Sequence, residues 1–299
     1  MTRTSKATQT KTGVRPTGMD GRLIPLEDDC MFSAVMRNKD ACIGLIEALF
    51  GGRSIRDVEY LDDLDAPQVQ RFLGPVTGGK GVRLDVYFED SDTVYDIELQ
   101  RVRDVDLPRR ARMYSSFMDA DMMSRGWRYA KAKDSYVVFV CKFDPLGKGL
   151  KRYSFSMACE EVQGLPLGDG RNIIFLNTKG KEGELGPDIE ALFSYINGGE
   201  GSIGMETGSP YVDRLDGYVQ ELNRDKKWRR EHMKYELSLE ERYDEGERVG
   251  FSKGEAAGMS KGEAKEKRRM VKSFKEQGVP LEVIAKASSL SIEEVQRIN

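Results

Sequence analysis

The sequence predicts an α/β fold: a mixed central sheet flanked by helices, followed by a helical C-terminal extension. Three observations predict it. Residues 82–88 (V-R-L-D-V-Y-F) and 93–100 (T-V-Y-D-I-E-L-Q) alternate apolar and polar side chains around the turn Glu89-Asp90-Ser91-Asp92, a β-hairpin pattern. Residues 136–141 (Y-V-V-F-V-C) form the short continuous apolar run of a buried strand. Apolar residues at helical spacing precede and follow these strands.

In chain order, residues 1–22 are polar and basic and read as a disordered leader; a folded domain is expected over 23–197. Its first helix is expected over 31–50, where Met31, Val35, Cys42, Leu45, Ile46 and Leu49 fall near helical spacing. Asp28 or Asp29 caps its start and Gly51-Gly52 ends it. A short strand over 54–61 and a loop-rich stretch over 62–81 lead into the hairpin. A helix over 107–123 follows, then strands over 136–141, 153–157 and 172–176, and a helix over 188–196. Residues 198–210 (GGEGSIGMETGSP) read as a linker. Residues 211–269 are a highly charged helical tail in which Gly246, Gly250, Gly254, Gly258 and Gly262 recur every fourth residue. The stripe belongs to a solvated helix or admits a second helix closely. Residues 270–299 trace short amphipathic helices resembling a helix-turn-helix, with Ser291 and Glu294 in a capping box. Glu293 and Glu294 against Arg297 favour an interaction module over a groove reader.

Composition narrows the chemistry. The 299 residues carry 47 basic and 50 acidic side chains, a net charge of −3, so any nucleic-acid surface is local. The four cysteines, Cys30, Cys42, Cys141 and Cys159, form no C-x-x-C pair, which argues against a thiolate zinc site and a disulfide scaffold. His232 is the sole histidine, which argues against histidine-based metal sites and Ser-His or Cys-His catalysis. Catalysis therefore rests on carboxylates, amides, Lys or Arg and a carboxylate-bound metal. No apolar run is long enough to span a bilayer, and the start lacks a signal-peptide core, so a cytoplasmic location is expected.

The hairpin concentrates the chemistry. Leu84, Val86 and Phe88 share one face of its first strand, and Arg83, Asp85 and Tyr87 the other. In the second strand Tyr95, Ile97 and Leu99 oppose Val94, Asp96, Glu98 and Gln100. A two-residue loop sets Asp85 opposite Glu98; a four-residue loop leaves them diagonal. A one-residue slip would bury Asp96 and Glu98, at high cost. Opposed carboxylates destabilise a sheet unless a cation sits between them, and Mg²⁺ takes one or two carboxylates plus water and phosphate oxygens. The bland alternative is a solvent-facing sheet surface with scattered acids. Beside it, residues 101–133 carry nine basic side chains against four acidic ones, with Tyr114, Trp127 and Tyr129 interleaved. That stretch suits a phosphate backbone, or is simply a solvated amphipathic helix. Acid pair, metal and flanking arginines point to phosphodiester hydrolysis rather than to a glycosidase.

These residues resemble the PD-(D/E)XK nuclease family transposases, also called the recombination-promoting nuclease (Rpn)/putative transposase family. The resemblance rests on Arg83-Leu-Asp85-Val-Tyr, Tyr95-Asp-Ile-Glu98-Leu-Gln100, Arg109-Arg110-x-Arg112-x-Tyr114, Gly126-x-x-Tyr129, Phe139-Val-x-x-Phe143-Asp144-Pro145 and Ile174-Phe-Leu-Asn177-Thr-Lys-Gly180. It implies a restriction-endonuclease-like core and Mg²⁺-dependent DNA cleavage linked to recombination, with Mn²⁺ as a substitute cation. Under it Asp85 and Glu98 are metal-binding catalytic acids, and Gln100 occupies the third motif position, usually a lysine in the wider superfamily. Asp29 matches the acid of the first helix, with Asp28 or Glu27 as substitutes and an N-cap as the competing role. Arg101, Arg109, Arg110, Arg112 and Tyr114 are the expected phosphate-binding residues, although Arg110 and Tyr114 can equally pack the helix.

The resulting reading is a Mg²⁺-dependent DNA endonuclease serving recombination, transposition, a mobile element or phage defence, associating through its C-terminal helices, with no membrane partner. The alternative is a catalytically degenerate nuclease fold that binds DNA or acts as a scaffold. A transposase with acids on distant elements fits poorly, because both acids here lie on one hairpin. The enzyme reading requires both carboxylates to be within reach of nucleic acid.

Overall fold

The computed structural model describes residues 22–51, 55, 59–60, 71–73, 82–124, 126 and 128–298. The leader, apart from Arg22, and most of the 62–81 stretch lie outside the described residues, as do Arg125 and Trp127 of the basic stretch. The described chain divides into two compact units, 1–234 and 235–299.

The first unit opens with α1 (Asp29–Met36) and α2 (Lys39–Phe50). They replace the single helix expected over 31–50. Asn38 breaks it: its side-chain oxygen accepts the N–H groups of Asp40 and Ala41 and caps a fresh helix there. Asp28 is the cap of α1, accepting from Cys30 and Met31, and Asp29 is its first residue. Gly51, at φ 46°, ends α2 as expected.

Next come β1 (Glu59–Tyr60), β2 (Arg71–Leu73), β3 (Val82–Leu84), β4 (Val86–Glu89) and β5 (Thr93–Gln100), then α3 (Leu107–Ser124) and β6 (Asp134–Cys141). The unit continues with β7 (Arg152–Phe155), β8 (Arg171–Asn177), α4 (Pro187–Gly198) and α5 (Pro210–Arg224). The main sheet has the order β1-β4-β5-β6-β8-β7; β2 and β3 pair separately. β5, β6 and β8 are parallel to one another, and β4, β1 and β7 join antiparallel. The β5–α3–β6 connection is the helical crossover that parallel neighbours require.

Both faces of this sheet are covered. Tyr95, Ile97 and Leu99 of β5 enter a core with Met31, Phe32 and Val35 of α1, Leu45 and Ile46 of α2 and Leu192 and Phe193 of α4. On the other face Leu107, Ala111, Tyr114, Met118 and Met122 of α3 recur at helical spacing over Val94, Val137, Phe139 and Cys141.

α5 corrects the expected domain boundary. Tyr211, Val212, Leu215 and Val219 recur at i, i+3, i+4 spacing and are buried in the first core. The Tyr211 hydroxyl donates to the carbonyl of Ala41. The stripe was hidden in a segment dense in charge. Residues 198–210 do not separate a core from a tail; they turn the chain, through the short 3-10 segment Gly199–Ser202, back onto that core.

The charged helix α6 (Lys226–Glu276) runs through the unit boundary. Its five regularly spaced glycines are exposed, with open space where a Cβ would stand. In the second unit α7 (Leu281–Ser288) and α8 (Ile292–Arg297) fold against the end of α6 around Val271, Ile284 and Val295. The expected capping box forms: Ser291 accepts from Glu294 N–H, and Glu294 accepts from Ser291 N–H.

Candidate metal centre

The hairpin adopts its tighter register. Val86 pairs with Ile97 and Glu89 with Val94, and the N–H of Asp90 donates to Thr93 O, leaving Ser91-Asp92 as the loop. Continued by one residue, this pairing places Asp85 opposite Glu98. Asp85 lies in the bend between β3 and β4, and its main-chain N–H donates to Glu98 Oε1 at 2.7 Å. Ser33 Oγ of α1 reaches the Asp85 carbonyl at 3.4 Å.

The polar face is not open to solvent along its length. α3 covers it, so Asp96 is fully buried and Glu98 is 3% exposed, while Asp85 is half-buried. The requirement that both carboxylates face solvent within reach of nucleic acid is therefore met by Asp85 alone; Glu98 is shielded beneath α3. The acids are buried without any register slip, because a helix closes over the face that alternation had assigned to polar residues.

Asp96 is a third acid at this place, absent from the sequence-derived set. It shares the face of Glu98 two residues earlier, and its carboxyl adjoins that of Glu98. Both Asp96 oxygens are shut off from solvent, and the polar group they meet is the Glu98 carboxyl. Burial, then the charge of Asp85, push the Asp96 carboxyl well above the ordinary range. Burial, then the charges of Asp85 and Asp96, do the same to Glu98.

Arg110 is the counter-charge. Its Nη1 donates to Gln100 Oε1 at 2.9 Å and to Asp104 at 3.2 Å; its Nη2 donates to the Tyr114 hydroxyl at 3.0 Å and lies 3.7 Å from Glu98 Oε2. Burial disfavours its charge, but the contacts with Tyr114, Asp104 and Glu98 outweigh this and raise its pKa further, so it is permanently protonated. Tyr114 is buried and its hydroxyl is held neutral by burial and the Glu98 charge. It lies on the sheet-facing side of α3, not on a surface open to phosphate. Arg110 likewise holds the acids and Gln100 instead of projecting outward. Arg101, Arg109 and Arg112 are exposed. Arg109 pairs with Asp106, and Arg101 lies 3.9 Å from Asp28.

Gln100 ends β5, the position at the carboxyl end of a parallel strand where α/β sheets present their chemistry. Its Nε2 donates to Val102 O at 2.7 Å. Lys142, just beyond β6, has its ammonium committed to Glu27. Burial pushes the Cys141 thiol up to about 12, so it is no nucleophile at neutral pH.

Asp29 is exposed on α1, which packs on the opposite face of the sheet from Asp96 and Glu98. Its neighbour Asp28 is held from two sides: besides capping α1, its Oδ1 lies 3.0 Å from His232 Nε2, whose ring stacks on Trp228. Burial would raise the Asp28 carboxyl, but His232, Met31 N–H and Arg101 together lower it. Donor atoms of Asp28, Cys30 and His232 lie within 4.8 Å of one another, although sequence composition argued against a histidine cluster. The Asp28 cap and its His232 contact account for that grouping as a pin on the start of α1.

Residues 30–184, just over half of the chain, match the model of a family described as PD-(D/E)XK nuclease family transposase. The chain belongs to this family. The mixed sheet with flanking helices agrees with it, and no curated protein and no solved structure matches the chain. The family typically uses divalent metals, and the residues present fit one. Asp85 lies opposite Glu98 across the hairpin, the Asp96 carboxyl adjoins that of Glu98, and a half-exposed amide stands at the strand end. Among the described residues no helix is long and apolar enough to cross a membrane.

Proposed function

We propose that the chain is a divalent-metal-dependent DNA endonuclease that hydrolyses phosphodiester bonds. The observation that carries this reading is the placement of Asp85 opposite Glu98, with Arg110 and Gln100 beside them at the end of β5. A purely structural ion pair accounts for Glu98 facing Arg110; it does not account for the second acid set opposite Glu98 across the hairpin.

Asp85 and Glu98 would hold Mg²⁺, for which Mn²⁺ can substitute, and a cation bound there supplies charge stabilisation at the scissile phosphate and a more acidic water. Gln100 spends one lone pair on Arg110 and one amide hydrogen on Val102. One lone pair and one N–H remain to orient a water. Hydrolysis forms a P–O bond to that water oxygen and breaks the P–O bond to one sugar oxygen, which leaves with a proton. Exposed Arg101, Arg109 and Arg112, next to β5 and on the first turns of α3, are suited to grip the flanking backbone. The proposed role is in recombination, transposition, a mobile element or phage defence, with self-association through the C-terminal helices.

The test is nicking of supercoiled plasmid in Mg²⁺. Wild-type protein nicks, and Asp85→Ala and Glu98→Ala do not. Equal activity in all three overturns the reading. The burial of Glu98 and a glutamine at the lysine position favour one competitor, a DNA-binding protein without catalysis. That competitor is identified by salt-sensitive binding that survives loss of both acids, without nicking.

A further inference from the structure

The middle of α6 has no core of its own. Every residue from Leu239 to Arg269 is exposed. A helix draws most of its stability from a packed face, and this span has none within the chain. Its charges are sorted along its length. Residues 236–247 carry six acidic side chains and one basic, and residues 261–272 carry six basic and two acidic. The two blocks lie at equal distances from Gly254, the middle one of the five regularly spaced glycines.

The helix is therefore complementary to itself turned end for end. Glu236 and Lys272, Glu240 and Arg268, and Glu247 and Lys261 are pairs equidistant from Gly254. At about 100° per residue, all six side chains fall within about 40° of the face that carries Gly254. Glu245 and Glu263, the one like-charged pair between the blocks, fall on the opposite face. Local ion pairs follow the same division. Glu245 and Glu266, away from the Gly254 face, are paired with Arg248 and Arg269. Among the described residues Glu240, Glu247, Lys261, Arg268 and Lys272 form no ion pair within the chain. The open space over the glycines lets a second backbone approach at the centre of this face.

We propose that a second copy of this chain covers α6, antiparallel to the first and centred on Gly254, acidic block against basic block. This rests on the self-association proposed above and gives it an orientation and a register. A two-fold axis repeats each contact, so the three complementary pairs become six. Parallel pairing in register sets Glu240 against Glu240 and Arg268 against Arg268, and is repelled. The dimer holds two copies of the candidate metal centre in one particle.

The experiment is sedimentation velocity on full-length protein at low ionic strength, with two charge-reversed chains. One carries Glu240→Lys and Glu247→Lys; the other carries Lys261→Glu and Arg268→Glu. All four positions are exposed, so the fold tolerates the changes, and circular dichroism checks that helix content is equal. Wild type sediments as a dimer. Each variant alone dissociates at least about tenfold more readily, because every reversed pair now repels. An equimolar mixture of the two returns to the dimer, since each reversed block meets its complement. Glu245→Lys with Glu263→Lys, on the opposite face, leaves the dimer intact. A dimer that survives either reversal overturns this pairing while self-association through other surfaces stands. A mixture that stays dissociated, or a dimer broken by the opposite-face change, overturns it as well. If wild type is monomeric at every concentration, the self-association itself fails and the face belongs to a different partner.

Discussion

Across the hairpin, Glu98 Oε1 accepts the main-chain N–H of Asp85 at 2.7 Å, so the first acid of the motif fixes the second through its backbone, not its side chain. The two roles of Asp85 are therefore separable. Asp85→Ala keeps the N–H and removes a like charge opposite Glu98, so the metal-free protein is stabilised by about 0.5 kcal/mol. Glu98→Ala leaves that N–H unpaired and costs about 1–3 kcal/mol. Urea unfolding in EDTA distinguishes the two, and both variants lose nicking.

Arg110 ties Glu98, Gln100, Asp104 and Tyr114 together. Arg110→Ala removes the counter-charge of a buried acid and releases Gln100, costing about 2 kcal/mol of stability. Arg110→Lys does not restore it, because an ammonium cannot reproduce the planar fork that serves several partners at once. Denaturation curves of both variants, with nicking rates alongside, check this.

The pH dependence follows from the raised carboxyls of Asp96 and Glu98, whose ordinary values are 3.8 and 4.5. Below those values folded and unfolded chains both hold the protons, and stability is unaffected. Above them the unfolded chain releases protons that the folded chain retains, so stability falls as pH rises towards the raised values. The slope is at most about 1.4 kcal/mol per pH unit for each retained proton. Thermal melts of EDTA-treated protein from mildly acidic to mildly alkaline pH show this decline, and Asp96→Asn flattens it.

The arginines divide into two groups. Arg109 and Arg112 are exposed, so changing each to Ala alters stability by less than about 0.5 kcal/mol. Each lowers DNA affinity and reduces the salt slope of binding by about one unit. Tyr114 is buried on Arg110, so Tyr114→Phe costs about 1 kcal/mol for the lost hydrogen bond and leaves the salt slope unchanged. Fluorescence anisotropy with a labelled duplex, in EDTA at several salt concentrations, separates the groups.

Much of the frame was legible in the sequence because it is set locally. The hairpin itself was read from its alternation, with two registers left open; Asp90 decides between them, its Oδ1 accepting the N–H groups of Asp92 and Thr93 and closing a two-residue loop. The Ser291–Glu294 box and the glycine stop at Gly51 are equally local. What stayed hidden depended on contacts distant in sequence. The alternation of β5 separates its two faces but does not say that α3 closes over the polar one, so the depth of Glu98 and the significance of Asp96 were invisible. The apolar stripe of α5 was outweighed by its charge, and the break at Asn38 depended on one side-chain oxygen choosing a cap over solvent. His232, set aside as a charged-segment residue, is buried against Asp28 two hundred residues earlier in the chain.

The central claim is that the neighbouring carboxylates of Asp85, in the bend before β4, and Glu98, on β5, chelate a divalent cation, and anomalous diffraction from crystals soaked in MnCl₂ tests it most directly. The account predicts a manganese peak bounded by the carboxylates of Asp85 and Glu98. An anomalous map with no peak there, from crystals diffracting well enough to show both side chains, contradicts it.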